Sequence, residues 1–571
     1  MPTNKTSYQH HLWWLLGISI IVKIILANLL ELGNDEVYYY TYALQPDWNH
    51  FDHPPMVGWM IRLSTLNLSW LSDLSLRLGS IICSFLASIL IFETGAIIKN
   101  ERAGFIAALL YNLSIYTSII AGLFVLPDSP QLLFFTASIY LMVKWVVQPN
   151  LFKKFEWILL GLCIGMATLS KVHGLFLWAG FGAFLIFHQS KTFKQPLLYI
   201  AGMISLLCLI PIVYWNIEND FITYTFHSKR VAHTSIHWDT FLQQIVGEFL
   251  YQNPIVYIAS LIALFHLKQV KLWIREDKVL ALLLWLSLPL ILTFWTLSLL
   301  NPTLPHWTGP GFIALFIIAG LYWSERSKKL IPKIIQSAMG LYGAILLGFI
   351  VLVYIFPKQL GSTQEANLGE YNPINDVTGW KPFKASFEQL VKEDIQLGKM
   401  RFDAPILTHK WFPGGHILFY IANPLQKELI GVGDLEDLHK FAWLNTRLKG
   451  LRIGMDAYCI EPSNLPDHTV ARYSPYFEKI EILPNSKAFS KLYENFTLTE
   501  LSATRYSLYP KLIQELSGSW IDIEALNQFE DPEIFSMKEK MFFVACAFYP
   551  QVSSTRDIPH PIIYTFLKSA I

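Results

Sequence analysis

Between residues 12 and 356 the chain returns repeatedly to apolar stretches, near 12–31, 74–98, 103–123, 129–147, 157–187, 196–216, 249–267, 279–299, 308–323 and 334–356. A helix crossing a hydrocarbon core of ~30 Å needs ~20 such residues, and in lipid the backbone polar groups must be satisfied internally. The pattern therefore predicts a mostly α, polytopic membrane protein. Composition agrees, with 53% apolar and only 15% charged residues against ~25% charged in soluble domains. Lys and Arg (44) balance Asp and Glu (43), which argues against nucleic-acid binding and against a polybasic lipid-surface arm. Of five cysteines, Cys83, Cys163 and Cys208 fall in apolar runs, and none has zinc or redox spacing with Cys459 or Cys546. No small-residue cleavage pattern follows the first apolar run, so it reads as a retained span.

The stretch 157–187 is too long for one crossing, because 31 residues would run ~46 Å as helix. It also carries Ser170-Lys171-Val172-His173-Gly174 at its middle and basic pairs on both flanks. Two short helices broken at Lys171 resolve this and bring the total to about eleven spans. With the N-terminus inside, the inner segments collect Lys99, Arg102, Lys153, Lys154, Lys191, Lys194 and the clusters near 268–278 and 326–333, while the short outer segments carry only Arg62, Lys171, Lys229 and Arg230. That asymmetry follows the positive-inside rule. The expected organisation is a membrane core over 1–356 with outer loops 32–73 and 217–248, followed by an extracytoplasmic α/β domain over 357–571. Short β-like runs at Ala404–Thr408 and Lys427–Val432 and a helical pattern at Phe383–Leu397 support the last assignment.

In this topology the candidate polar residues gather on the outer side. Asn34-Asp35-Glu36 is followed by tyrosines, and Asp52-His53 by Pro54-Pro55, where proline favours the start of a short interfacial helix over Met56–Leu66. Asp35 and Glu36 read either as reactive carboxylates or as solvated loop groups. Asp128 reads either as reactive or as a helix N-cap. Lys171 in an apolar stretch reads either as a phosphate partner or as a snorkelling side chain. His227 and Arg230, three apart, would share a helix face, where histidine with a carboxylate can hold a divalent metal and arginine can clamp a phosphate.

Taken in order, these motifs resemble the GT-C membrane glycosyltransferases that use polyprenyl-phosphate sugars, in particular the branch of the lipid A aminoarabinose transferase and the protein O-mannosyltransferase-like enzymes. Asp35-Glu36 with Asp52-His53-Pro54-Pro55 resembles the first-loop motif, Leu126-Pro127-Asp128 the second aspartate motif, Leu169-Ser170-Lys171 the lysine motif and His227-x-x-Arg230 the H-x-x-R motif. The resemblance implies a GT-C core and a bacterial inner-membrane location with the second domain periplasmic. It implies catalytic roles for Asp35, Glu36 and Asp128, donor-phosphate binding by Lys171, Arg230 and His53, and a divalent-metal site at Asp52 and His227. His53 departs from the lysine usual at its position.

The expected reaction is sugar transfer with inversion from a polyprenyl-phosphate donor to the hydroxyl of a lipid, glycan or protein acceptor. The alternative is a transporter or flippase of a lipid-linked sugar, since transporters also use broken helices and intramembrane charge. A non-catalytic glycan receptor is a third reading.

Overall fold

The computed structural model describes residues 8–229, 236–355, 361–364, 369–372, 374–448, 450, 455–460 and five strands between 478 and 546. The first compact unit joins the chain up to Gly361 with the returning segment Asn372–Pro382. It is built from α1 (Tyr8–Leu29), α2 (Asn34–Leu44), α3 (Met56–Ser64), α4 (Asp73–Ile98), α5 (Glu101–Leu113), α6 (Asp128–Val147), α7 (Lys154–Ser170) and α8 (Leu175–His188). It continues through α9 (Pro196–Glu218), α10 (Ile222–Lys229), α11 (Trp238–Tyr251), α12 (Pro254–Phe265), α13 (Leu267–Trp273), α14 (Lys278–Ser298), α15 (Gly309–Arg326) and α16 (Lys333–Ile355).

Among the described residues seven helices, α1, α4, α6, α9, α14, α15 and α16, are long and apolar enough to cross a membrane, and α11 with α12, bent by 100°, forms an eighth candidate. The shorter α5, α7 and α8 occupy the other sequence-predicted spans. Burial sorts these helices. The most apolar window of α15 is 89% buried and that of α16 only 11%, so α15 is a central packing element and α16 is peripheral. Ile18, Ile21 and Ile25 of α1 and Leu206, Leu207 and Ile210 of α9 are exposed. Rows of exposed branched aliphatics on long helices are stable only against lipid, so the unit is a multi-pass membrane protein.

The break at Lys171 is present. α7 ends at Ser170, Lys171 is extended at φ −159° and ψ 137°, and a single tight turn over Val172–Gly174 leads into α8. A Cβ on Gly174 would lie 2.5 Å from Thr168 N and 2.6 Å from Ala167 C, so only glycine lets the chain fold back against the end of α7. Lys23, mid-way along α1 and without an evident partner in the sequence, is buried and donates to Ser84 Oγ at 2.6 Å.

The second unit comprises Ser362–Tyr371 and the chain after Pro382. Most of α17 (Trp380–Gln396) belongs to it, followed by a parallel sheet of β1 (Ile406–Thr408), β2 (Leu429–Gly431) and β3 (Tyr458–Cys459) in the order β2-β1-β3. Leu407, Ile430 and Val432 form its core. A second, antiparallel sheet contains β4 (Glu478–Ile482), β5 (Thr497–Glu500), β6 (Ile521–Asn527), β7 (Pro532–Met537) and β8 (Val544–Cys546) in the order β5-β4-β6-β7-β8. The expected α/β character is therefore present, with β1 and β2 inside the runs read from sequence. The composition change at 357 does not foretell that Asn372–Pro382 returns to the membrane unit.

Packing of α4 on α5 depends on backbone contact, since a Cβ on Gly104 would lie 2.1 Å from Phe92 O. Gly104→Val should cost ~1–3 kcal/mol through overpacking, read as a lower thermal midpoint in detergent. Gly182→Ala in α8, where nothing lies within 4 Å of the added Cβ, should leave that midpoint unchanged or slightly raised.

Candidate active site

The first turn of α2 organises the site. Its N-terminal N–H groups have no helical partners of their own, and carboxylates satisfy them. Glu36 Oε2 accepts from Gly33 N at 2.9 Å, and the carboxyl of Asp376 accepts from Asn34 N. Glu36 is 2% exposed and is clamped by the fully buried Arg77 of α4, with Nε to Oε1 at 2.8 Å and Nη2 to Oε2 at 2.5 Å. Oε1 also accepts from Val125 N at 3.1 Å. Arg77 spends its other donors on the carbonyls of Ala27, Leu30 and Glu31 at 3.1, 2.7 and 2.9 Å. Both oxygens of Glu36 are engaged by Arg77 and by backbone N–H groups, which gives it a structural role beside the catalytic one expected of it. The side chain anchors the end of α1, the start of α2 and the chain before α6.

Asp35 is one residue earlier and points elsewhere, because neighbours one apart on a helix do not share a face. It is exposed. Among the carboxylates Asp35, Glu36, Asp52, Asp128 and Asp376, it is the one for which no hydrogen bond or ion pair is found among the described residues. Asp35 is exposed as a residue, while burial of its carboxyl by the surrounding protein raises its pKa to about 7, and the negative charges of Asp376, Asp52, Asp128 and Glu36 add to the rise. A carboxylate so poised can take a proton near neutral pH.

Asp128 begins α6 but makes no side-chain cap. It meets Lys171 instead, with Nζ at 3.0 Å from Oδ1 and 2.8 Å from Oδ2, and it accepts from Tyr116 OH at 2.7 Å. Asp128 and Lys171 are 2% and 3% exposed. The N-cap and snorkelling alternatives both give way to this buried pair. Tyr116 reaches it from a short π-helical turn, Tyr116–Ile120, after α5, a device that re-aims side chains at functional sites. His306, in the turn before α15, stacks on Tyr116 with ring centroids 6.4 Å apart.

The loop before α3 supplies the next wall. Asp52 Oδ1 accepts from Tyr38 OH at 2.7 Å and from Tyr42 OH, and His227 Nε2 contacts the Asp52 carbonyl at 2.9 Å. His53 is half-buried between Tyr39, with centroids 5.8 Å apart, and His227, 6.3 Å apart. Burial pushes the His53 pKa down to about 4, Asp52 opposing the shift and Lys171 adding to it. At neutral pH His53 therefore offers a donor N–H rather than the positive charge expected for phosphate binding. Arg230 lies outside the described residues.

The resemblance implies a divalent metal at Asp52 and His227. The two are adjacent, but among the described residues no group of three or more His, Cys, Asp or Glu is arranged to hold an ion. Asp52 Oδ1 already accepts from two tyrosines, so these two residues do not make up a metal centre by themselves.

Sequence reasoning missed Arg77, Tyr116 and Asp376. Arg77 carried a readable signal, being a charge four residues inside the predicted span 74–98, and such a charge demands a partner. Asp376 carried none, since more than 300 residues separate it from Asn34.

Comparison with known proteins adds a second line. A family model described as dolichyl-phosphate-mannose-protein mannosyltransferase matches residues 52–215. The lipid A galacturonosyltransferase RgtD of Rhizobium johnstonii is 25% identical over 348 residues, 59% of this chain and 70% of that protein. The undecaprenyl phosphate-alpha-4-amino-4-deoxy-L-arabinose arabinosyl transferase 2 of Proteus mirabilis is 25% identical over 348 residues, 56% of this chain and 57% of that protein. A stretch of 91 residues is 32% identical to the CTP synthase of Helicobacter pylori and spans 17% of that enzyme, too little to carry its activity. Among solved structures, ArnT from Cupriavidus metallidurans bound to undecaprenyl phosphate aligns with a TM-score of 0.54 and 13% identity over 80% of this chain and 90% of that one. At that identity the likeness shows the fold, which is GT-C.

Breaking the Arg77–Glu36 clamp should be severe, because removing one partner of a buried pair costs ~3–5 kcal/mol. Arg77→Met should sharply reduce the yield and thermal midpoint of folded protein. Arg77→Lys should recover little, since an ammonium cannot bridge the carboxylate and three carbonyls at once.

Proposed function

We propose that this chain, a multi-pass membrane glycosyltransferase of the GT-C fold that uses a polyprenyl-phosphate sugar donor, passes the sugar with inversion to an acceptor hydroxyl on the extracytoplasmic face, with Asp35 as general base. The observation that carries this reading is the contrast among the carboxylates. Glu36, Asp52 and Asp128 are committed to Arg77, two tyrosines and Lys171, whereas Asp35 is exposed and poised near pH 7.

The step conserves atoms and charge. The acceptor oxygen bonds to the anomeric carbon as the bond from that carbon to the phosphate oxygen breaks. The hydroxyl proton passes to Asp35, and the electron pair leaves on polyprenyl phosphate. Charge grows on the departing phosphate, so a cation fixed beforehand lowers the barrier most. Lys171 suits that role. Asp128 occupies two of its three N–H donors and holds the third in place for a phosphate oxygen. His53 supplies a neutral N–H, and Arg230 is the further cation assigned to the same phosphate.

The Lys and Arg distribution supports a cytoplasmic N-terminus and an outer-face position for these groups. A bacterial inner membrane suits that arrangement, because a donor carried in the outer leaflet needs no nucleotide outside the cell. A lipid, glycan or protein hydroxyl would be the acceptor.

Purified protein in lipid, incubated with undecaprenyl-phosphate sugars that include an amino-deoxypentose and a hexuronic acid, should release undecaprenyl phosphate. Asp35→Asn should lower kcat by ~10²-fold or more. Because the base works deprotonated and its pKa is raised to about 7, kcat/KM should climb with pH through an acid limb near 7. An Asp35→Asn enzyme with near-normal release would remove Asp35 from this role.

A further inference from the structure

The segment Asn372–Pro382 contributes to the site from far down the chain. It is fixed at four points within the membrane unit. Glu31 N donates to Val377 O at 2.9 Å, and the Glu31 carboxylate accepts from Trp380 N at 2.7 Å and Lys381 N at 3.1 Å, capping α17. Lys381 Nζ pairs with Asp73, the first residue of α4, at 2.5 Å. The carboxyl of Asp376 takes the N–H of Asn34, the residue immediately before Asp35. Its Oδ2 would lie 3.8 Å from a Cβ on Gly33, so it sits directly against the first turn of α2.

We propose that Asp376 is a positioning residue for sugar transfer: by holding the N-terminal N–H of α2 and standing beside Asp35 as a second carboxylate, it fixes both the place and the proton affinity of the base. The inference rests on the assignment of Asp35 above. Two separable features support it. The hydrogen bond to Asn34 sets the backbone from which Asp35 projects, and the Asp376 charge is the largest of the like-charge influences on Asp35. The other groups facing Asp35 are Glu36 and Tyr39 of α2, Asp52 of the following loop, Asp128 of α6 in its pair with Lys171, and Tyr251 of α11. Glu36 and Asp128 each lie against a cation, and Asp52 is held by two tyrosines.

Asp376→Asn keeps an oxygen for the Asn34 N–H and loses the charge, whereas Asp376→Ala loses both. Full-length protein in lipid, assayed with the undecaprenyl-phosphate sugars above, should show for Asp376→Asn an unchanged thermal midpoint and an acid limb of kcat/KM moved down by ~0.5–1 pH unit. Asp376→Ala should in addition lose kcat by ~10-fold or more with KM for the donor unchanged, because the base is misplaced rather than the donor weakened. The same downward move is readable without turnover by infrared titration of the Asp35 carboxyl band, identified by its loss in Asp35→Asn. An acid limb and band that stay at the wild-type pH in both variants, with only the midpoint lowered, would overturn the proposal and leave Asp35 in its role. Full activity in Asp35→Asn would overturn both assignments together.

Discussion

The buried contact between Arg77 and Glu36 is the constraint on which the rest of the site depends. It joins the carbonyls at the end of α1, the first turn of α2 and the backbone before α6 through two side chains that exclude solvent. Desolvating two charges offsets much of their attraction, so such a pair contributes little net stability relative to an apolar replacement. What it contributes here is geometry. With Glu36 immobilised, the adjacent Asp35 has a defined direction, and the wall that contains Asp128 is held in register with α2.

A second charged contact works from the opposite side. The helix break after Ser170 releases Lys171 from regular structure, and Gly174 lets the chain resume as α8 directly against the end of α7. Lys171 is thereby held against Asp128, which also accepts from Tyr116. In the proposed reaction, a cation fixed beforehand would serve the departing phosphate and Asp35 the attacking hydroxyl, because neither group would need to reorganise as charge develops. Asp35 is an exposed residue and Lys171 a buried one, so the two proposed roles would fall in different environments.

Much of the fold was legible in the sequence because bilayer thickness fixes the length of an apolar helix. Helices stand at all the predicted spans, the break at Lys171 follows from excessive length with a charge at its centre, and the strands near 406 and 429 follow from short alternating runs. The site was legible in its members more than in their roles. Asp35 and Glu36 are neighbours in sequence and look equivalent, and only a partner 41 residues away distinguishes them. His53 read as a phosphate-binding group because its identity shows and its burial does not. Asp128 read either as reactive or as a cap because its position at a helix start is visible and its attraction to Lys171 is not. Asp376 and the segment around it were beyond any local pattern, since the hydrogen bonds that define them join residues separated by several hundred positions.

That returning segment also changes what counts as a module in this chain. Composition alone would divide the polypeptide at 356, yet a membrane half cut there would retain a buried Glu31 with no N–H groups to accept, an Asp73 without Lys381 and an α2 whose first N–H has lost its carboxylate. The second half, cut at the same place, would begin with residues that belong to the first unit. Recombining halves between relatives is therefore sound only if residues 372–382 travel with the helices they fasten, and no single cut parts the two units, because Ser362–Tyr371 belongs to the second.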